Sequence, residues 1–363
     1  FCGLRFLDLA SGFCDLPVYS ITIFPTIDYI RTKLMVQKYF EVLNLFGQYK
    51  HFALSTHLNP DGDALGSELA IYSVLKELDK RVHIFNSDPT PDNYHFLPFR
   101  QHIKPPSEVR KVYSNFSPEV LVVLDAGSLS RIGDKLARQL QPTEFIVNID
   151  HHQTSVPFGD INIIETQASS TSEIVYRIIQ SSGLEIGKER AICLYTGLMF
   201  DTGCFRYSNS TSIAHKMAAD LIEEGVSVDE VYRHVYDTVP KIRLHLLGDV
   251  LQTLETSSDG KIAWLKVTQK ILRKNGCDFS QLEGFVNYIR SIDSVEVAII
   301  AGELENGFTK FSLRSKNRVD VSRICGLYGG GGHQKAAGCL IEKPIGEALA
   351  QLTDATQLQI DEY

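Results

Sequence analysis

The 363-residue sequence has no C-x-x-C pair, no G-x-S-x-G elbow, no phosphate-binding P-loop, no internal repeat and no low-complexity tract. Its seven cysteines are an odd number, so neither a disulfide framework nor a zinc ribbon is signalled. Cys193, Cys277 and Cys325 stand in mixed apolar contexts and read as small core residues; a reducing cytoplasm fits such usage best. The missing elbow and P-loop remove the usual serine-hydrolase and P-loop NTPase readings. No apolar run reaches the ~18 residues of a membrane-spanning helix. Positive charge is also short: 36 Lys and Arg against 44 Asp and Glu give a formal charge of −8. That balance argues against non-specific coating of duplex nucleic acid, which rests on many Lys/Arg–phosphate contacts. It leaves room for a small anion held by a few local charges.

What is present is a globular composition, 44% hydrophobic and 22% charged, with length for about two domains. The chain opens at Phe1, and its first Met is Met35. Residues 1–34 are aromatic-rich and lack the basic, apolar and cleavage regions of a signal peptide. From Met35 the stretch MVQKYFEVLNLFGQY reads as an amphipathic helix. Met35 is therefore expected to be the natural start, with 1–34 an extension whose deletion leaves folding and activity intact.

β-rich runs at 51–57, 81–87, 119–127 and 144–152 alternate with helical patterns at 64–80, 131–140, 171–182, 188–200 and 211–224. This order predicts an α/β domain over 35–225, an open and largely parallel sheet with helices on both faces. Residues 228–256 read as helices with a hinge near Pro240, which gives a semi-rigid helical linker over 226–257. Strand patterns at 261–268, 295–304, 307–315 and 338–342, with helical signals at 282–291 and 320–328, predict a smaller α/β domain over 258–363. The active-site cleft is expected between the two domains.

Four motifs fall at predicted strand or helix ends: His57-Leu-Asn-Pro-Asp61-Gly-Asp63, Asp125, Asp150-His151-His152 and Asp201. The carboxyl edge of an open α/β sheet is where ligands bind. Asp61, Asp63, Asp125 and Asp201 with His57 and His151 make six hard or borderline donors. Clustered carboxylates repel one another, and a pair of divalent cations relieves this. Mixed Asp/His ligation suits Mn²⁺, with Mg²⁺, Co²⁺ or Fe²⁺ as alternatives. Two metals ~3.5–4 Å apart can activate water and clamp an in-line phosphoryl displacement. Each residue has an ordinary reading too: a D-x-D after a strand is often a turn and helix cap, and Asp125 alone could be a loop residue. Two adjacent His at a buried strand end are harder to explain that way.

The ordered set resembles the motifs of the DHH phosphoesterase superfamily, whose name is the Asp-His-His seen at 150–152, from about residue 37 to the C-terminus. The superfamily includes RecJ exonucleases, manganese-dependent pyrophosphatases, NrnA-type oligoribonucleases and cyclic-dinucleotide phosphodiesterases. The resemblance implies that His57 and Asp61 hold one metal and Asp63 the other, that Asp125 bridges both, and that His151 and Asp201 complete the second site. It further implies that His152 faces the scissile phosphate as electrophile or proton donor. Asp150 would orient the imidazoles from behind.

The second informative stretch is FSLRSKNRVDVSRICGLYGGGGHQKAAGC (311–339). Arg314 ends a strand, Gly329–Gly332 would let backbone N–H groups approach a ligand, and His333–Ala337 would open a helix whose N-terminus adds to an anion site. Between 309 and 343 seven basic residues stand against Asp320 and Glu342, a local +5. The ordinary reading is a flexible loop with a solvated basic face. Joined to Arg314-Ser315 and His333, the run resembles the DHH-associated C-terminal domain. That resemblance implies binding of a nucleotide or terminal phosphate by Arg314, Ser315, Gly330, Gly331, Gly332 and His333. Arg131 and Arg206 each either reach a substrate phosphate or serve locally. Asn209 and Thr211 read as caps of the next helix, and Trp264 as core.

Taken together, the resemblance implies a two-metal phosphoesterase of the NrnA type, cleaving short single-stranded oligoribonucleotides to mononucleotides, with 3′-phosphatase action on adenosine 3′,5′-bisphosphate. The glycine-rich clamp disfavours the pyrophosphatase branch. Acidity and the lack of an obvious OB-fold module disfavour RecJ-like action on long strands. A phosphodiesterase for c-di-AMP or pApA is the near alternative, and a non-catalytic dinucleotide sensor the distant one. The partners expected are short RNA, dinucleotides and nucleotide phosphates, not duplex or membrane, with a homodimer left open.

Overall fold

The computed structural model describes residues 27–141, 143–282 and 284–362, with side chains from Val36 onward except that of His333. The chain packs as two compact units that divide between Asp237 and Thr238. The first unit runs α1 (Ile27–Gln48), β1 (His51–Thr56), α2 (Gly62–Glu77), β2 (Arg81–Phe85), β3 (Ile103–Lys104), α3 (Val109–Tyr113), β4 (Val120–Leu124) and α4 (Asp134–Leu140). It continues with β5 (Phe145–Asp150), β6 (Ile161–Ile164), α5 (Thr171–Ser182), α6 (Lys188–Asp201), α7 (Ser212–Glu223) and α8 (Val228–Val235).

Its sheet has the order β3-β2-β1-β4-β5-β6, with every pairing parallel. Successive strand residues point to opposite faces. Phe52, Leu54, Val120, Val122, Leu124, Val147 and Ile149 therefore join the core beneath α1, α2, α5 and α6. Ala53, Leu121 and Val123 join a separate core with Val109 of α3 and Leu136 of α4. Burial on both faces is why 119–127 reads as a nearly continuous apolar run. Each Leu, Ile or Val so enclosed contributes about 1.5–3 kcal/mol. The chain builds outward from β1 to β3 and then crosses back to β4 beside β1. That reversal opens a crevice at the carboxyl ends of β1 and β4, where His57 and Asp125 follow their strands.

The second unit runs α9 (Lys241–Leu251), β7 (Glu255–Thr256), β8 (Ile262–Val267), α10 (Gln269–Asn275), α11 (Phe285–Arg290), β9 (Val297–Glu303), β10 (Thr309–Ser315), α12 (Val321–Gly326), β11 (Gly331–His333), β12 (Ala336–Ile341) and α13 (Ile345–Asp361). The sheet order is β11-β12-β10-β9-β8-β7, with β8–β9 parallel and the other pairings antiparallel. Val297, Ile299 and Ala301 face the core of α12 and α13, while Ala298 and Ile300 face that of α9, α10 and α11.

Several expectations change. The segment read as a linker is shared out: Val231 and Val235 of α8 join the first core, and Leu246 and Val250 of α9 join the second. Pro240 sits at the N-cap of α9, where the hinge was expected. Helix α1 begins at Ile27 and runs through Met35, so the helix read from Met35 starts earlier than expected; residues 1–26 of the expected extension lie outside those described. The short β3 and β6 and the helix α13 carried no sequence signal strong enough to name. Cys193 and Cys325 are buried as expected, but Cys277 is only partly so. No helix among the described residues is long and apolar enough to cross a membrane.

Candidate active site

The four motifs converge at the carboxyl edge of the first sheet. Asp61 is the N-cap of α2: its Oδ1 accepts from the N–H groups of Asp63 and Ala64 at 3.0 and 3.1 Å. Its Oδ2 lies 3.6 Å from His57 Nε2. The cap reading and the site reading therefore both hold, one oxygen each.

Asp63 is fully buried, and its two oxygens accept from the backbone N–H groups of Thr171 at 2.6 Å and Ser172 at 2.8 Å. These amides open α5, whose positive end suits a carboxylate. Gly197 of α6 passes close by: a Cβ there would meet Ser172 Oγ at 2.0 Å and Asp63 Oδ1 at 2.6 Å. Asp125 is held at φ +56, a left-handed conformation, with its N–H bonded to Ile149 O at 2.9 Å. Such strain costs about 1–3 kcal/mol and clusters at functional sites. Thr171 Oγ1 donates to Asp125 Oδ1 at 2.8 Å.

The imidazoles are aimed by their other nitrogens. His57 Nδ1 is 2.8 Å from Leu58 O, and His151 Nδ1 is 3.3 Å from Ala168 O. Carbonyl oxygens only accept, so Nδ1 carries the hydrogen in both rings. Nε2 of His57 then faces Asp125 Oδ2 at 3.4 Å and Asp61 Oδ2 at 3.6 Å. Nε2 of His151 faces Asp201 Oδ2 at 2.9 Å, Asp125 Oδ1 at 3.8 Å and Asp63 Oδ2 at 4.0 Å. Asp150 Oδ1 lies 2.7 Å from His152 Nδ1. The expectation that Asp150 orients both imidazoles is therefore corrected: it holds His152, while a backbone carbonyl holds His151.

A lone pair pointed at carboxylate oxygens is favourable only with a cation between them, a proton or a metal. Burial by itself lowers His57, but its bonds to Asp125 and Asp61 outweigh this and carry it up to about 11. His151 is likewise raised against burial by Asp201, Asp125 and Asp63. Burial raises Asp63 well above the usual carboxylate range, and the charges of Asp125 and Asp201 push the same way. Burial also raises Asp201. Asp125 goes the other way: burial opposes it, yet His57, His152 and His151 hold it well below that range. Three overlapping donor groups result, His57–Asp61–Asp125, Asp63–His151–Asp201 and Asp125–His151–His152, each with its ligand atoms within 4.8 Å of one another. Asp125 offers Oδ2 to the first and Oδ1 to the second. The set fits a pair of divalent cations.

Other residues surround this centre, some of them not singled out from sequence. Thr171 and Ser172 are one case; the clue available was a Ser/Thr run opening a helix. Asn209 Nδ2 donates to Ser169 O at 2.9 Å and Asp201 O at 3.1 Å, which ties two motif segments together rather than capping a helix. Thr211 does cap α7. Glu68, buried on α2, accepts from Asn86 at 2.8 Å, and burial pushes it up to about 8 against the pull of Asn86 and His57. Arg131 has an exposed side chain, and its carbonyl accepts from Leu58 N–H at 2.7 Å. Arg206 Nε bonds Gly203 O at 2.7 Å, a local role.

In the second unit one expectation fails. Residues 333–337 do not open a helix. β11 and β12 form an antiparallel hairpin with Gly331 opposite Gly338, Gly332 opposite Ala337 and His333 opposite Ala336. The helix N-terminus assigned there is absent, and the preceding helix α12 is capped by Asp320. The glycines serve close strand approach. A Cβ on Gly330 would lie 2.3 Å from Gly338 O; on Gly332, at φ +146, it would lie 2.4 Å from Ala336 O. Register places Arg314, Ala336 and His333 in one row across β10, β12 and β11. Arg314 Nη1 bonds Leu313 O at 2.9 Å, and buried Ser315 donates its N–H to Lys335 O at 3.1 Å. The His333 side chain lies outside the described ones. Lys335 Nζ is buried without a hydrogen-bond partner among the described residues, which adds it to the candidates. Trp264 is partly buried and packs against the core of α12 and α13.

Residues 51–198 match the DHH family, N-terminal domain, and residues 259–362 match the DHHA1 domain. A protein of Thermus thermophilus named bifunctional oligoribonuclease and PAP phosphatase NrnA is 33% identical over 291 residues, 80% of this chain and 83% of that protein. Its namesake from Bacillus subtilis is 27% identical over 305 residues, 83% of this chain and 92% of that protein. The crystal structure of an exopolyphosphatase-related protein from Bacteroides fragilis aligns at a TM-score of 0.83 and 30% identity, covering 88% of this chain and 96% of that one. The chain belongs to the DHH family of phosphoesterases, a DHH N-terminal domain followed by a DHHA1 domain.

Proposed function

We propose that this chain hydrolyses short single-stranded oligoribonucleotides to mononucleotides and removes the 3′-phosphate of adenosine 3′,5′-bisphosphate. One observation carries the reading: a single carboxylate, Asp125, turns one oxygen to each of two Asp/His donor groups. The names of the relatives from Thermus thermophilus and Bacillus subtilis support the substrate class.

In this reading His57, Asp61 and Asp125 hold one divalent cation, and Asp63, His151 and Asp201 with Asp125 hold the other, Mn²⁺ being the metal we favour for mixed Asp/His donors. When bound, the pair supplies water activation and neutralises charge building on the phosphoryl group. The protein's own part is orientation. Thr171 and the amides opening α5 fix Asp125 and Asp63. Burial opposes charge on His152, but the bond from its Nδ1–H to Asp150 and the charge of Asp125 favour the imidazolium, the form that would donate a hydrogen bond to the reacting phosphate. Arg314, Ser315, the glycine hairpin 330–332 and His333 recognise a substrate phosphate on the second unit, and Arg131 is a further phosphate contact on the first. The formal charge of −8 favours short strands over long polymers, whose binding rests on many cationic contacts. The free thiols among the described residues fit action in the cytoplasm.

The test offers purified full chain with Mn²⁺ a five-nucleotide RNA, pApA, adenosine 3′,5′-bisphosphate and c-di-AMP. Mononucleotides from the first two and phosphate from the third are expected. Turnover of c-di-AMP alone would move the reading to a cyclic-dinucleotide phosphodiesterase. No turnover with cations bound would make it a sensor.

A further inference from the structure

The first unit carries a second concentration of charge, opposite in sign to the metal centre. β3 pairs only with Ile84 and Phe85, so the start of β2, Arg81–His83, has no strand beside it on that edge. A cavity of about 280 Å³ occupies the space, lined by Tyr72, Lys76, Arg81, His83, His102 and Lys104. No carboxylate lines it, and among the described residues Lys76, Arg81 and Lys104 enter no ion pair. Three cations facing one concavity repel each other; among the described residues no ion pair offsets this, and Arg81 alone is eased by the Phe116 ring, 5.2 Å from its guanidinium carbon.

The polar groups around them are arranged for an anion as well. His83 Nδ1 lies 3.3 Å from Lys104 Nζ, and its Nε2 is buried without a partner among the described residues. Burial and the charges of Lys104, Arg81 and Lys76 push His83 down to about 4, and burial with Lys76 and Lys104 lowers His102. His102 stacks on the buried ring of Tyr72, with centroids 4.9 Å apart and planes 23° apart. The site is separate from the catalytic centre. Asp63 opens α2 and Lys76 lies near its far end, thirteen residues on, about 20 Å along the axis at 1.5 Å per residue.

We propose that this cavity binds a small phosphate-bearing anion, up to the size of a mononucleotide, with the phosphate on Lys76, Arg81 and Lys104 and a base, where there is one, against His102. The volume is at the low end for ligand pockets, which excludes an oligomer lying wholly inside it.

The test uses the full chain in EDTA, so that no divalent ion can hold a phosphate. It is titrated calorimetrically with 5′-AMP and, separately, with inorganic pyrophosphate. Both are expected to bind, and Lys76→Ala/Lys104→Ala is expected to weaken both by at least ~10-fold. Arg314→Ala is expected to leave this binding unchanged. The imidazole ¹⁵N signals of His102 should move only in chains that keep both lysines. Tighter binding of 5′-AMP than of pyrophosphate assigns a nucleotide; equal binding assigns the phosphate group alone. Should the double variant not fold, Lys76→Ala with Arg81→Gln probes the same cavity. With Mn²⁺, hydrolysis by Lys76→Ala should match wild type, so lost binding is not a lost active site. Binding that survives the double variant, that disappears only with Arg314→Ala, or that is absent for both probes overturns the proposal.

Discussion

The two units present opposite charge at their candidate phosphate-handling regions. The first gathers buried acid: Asp63, Asp125 and Asp150 are almost wholly enclosed, and Asp125, His57 and His151 are fixed by Thr171, Leu58 O and Ala168 O. The second spreads positive charge over a sheet end and shapes it with backbone, through a glycine hairpin too tight for side chains. Its local +5 also overstates the free charge, because Lys316 Nζ is tied to Ile292 O at 2.6 Å and Asp293 O at 3.2 Å. The lesson is one of cost. Enclosed like charges demand cations and rigid support, so the first region should be all-or-none towards substitution. The second should respond by degrees.

The largest effect should come from Asp125→Asn, which removes the shared charge. A fall in kcat on the order of 10³-fold or more is expected, with the fold kept, as read by steady-state kinetics and circular dichroism. An active Asp125→Asn would erase the contrast. Arg314→Ala should instead raise KM for nucleotides by ~10–100-fold, the range of one charge-assisted hydrogen bond, with little change for a generic aryl phosphodiester. Equal effects on both substrates would remove Arg314 from recognition.

Smaller effects concern stability. Gly332→Ala should cost about 1–3 kcal/mol by forcing a side chain into a glycine-only conformation, read by urea denaturation; an unchanged midpoint would contradict the close-packed hairpin. Glu68 is the mildest case. Its folded value of about 8 lies above its ordinary 4.5, so the native state holds the extra proton between those values. The stability it adds is present below pH ~4.5 and is lost as pH rises towards 8. In EDTA, Glu68→Gln should raise the melting temperature by a few degrees at pH 8.5 and hardly at pH 5. A gain at pH 5 as large as at pH 8.5 would refute the assignment.

The same contrast explains what the sequence disclosed. Side chains that act at strand ends leave a linear signature, and His57, Asp61, Asp63, Asp125, His151 and Asp201 were legible as one ordered set. The strand runs and most helices of the first unit were legible from period and apolar runs. What stayed hidden is what side-chain chemistry does not encode locally. Thr171 and Ser172 act through amides and a hydroxyl that only the fold brings to Asp63 and Asp125. Residues 333–337 looked like a helix start because a Gly run before a small-residue stretch is compatible with either element. Only pairing of Gly331 with Gly338 and His333 with Ala336 decides for a hairpin. The edge strand β3, two residues long, and the basic cavity beside it have no sequence pattern at all.

The central claim, that Asp125 joins two cation sites in the first unit, is tested most directly by counting and coupling the ions. The full chain is equilibrated with Mn²⁺, its metal content measured, and its electron paramagnetic resonance recorded. Two Mn²⁺ per chain with an exchange-coupled spectrum are predicted, with the coupling lost in Asp125→Asn and one ion lost in His57→Ala. One ion per wild-type chain, or two without coupling, would contradict it.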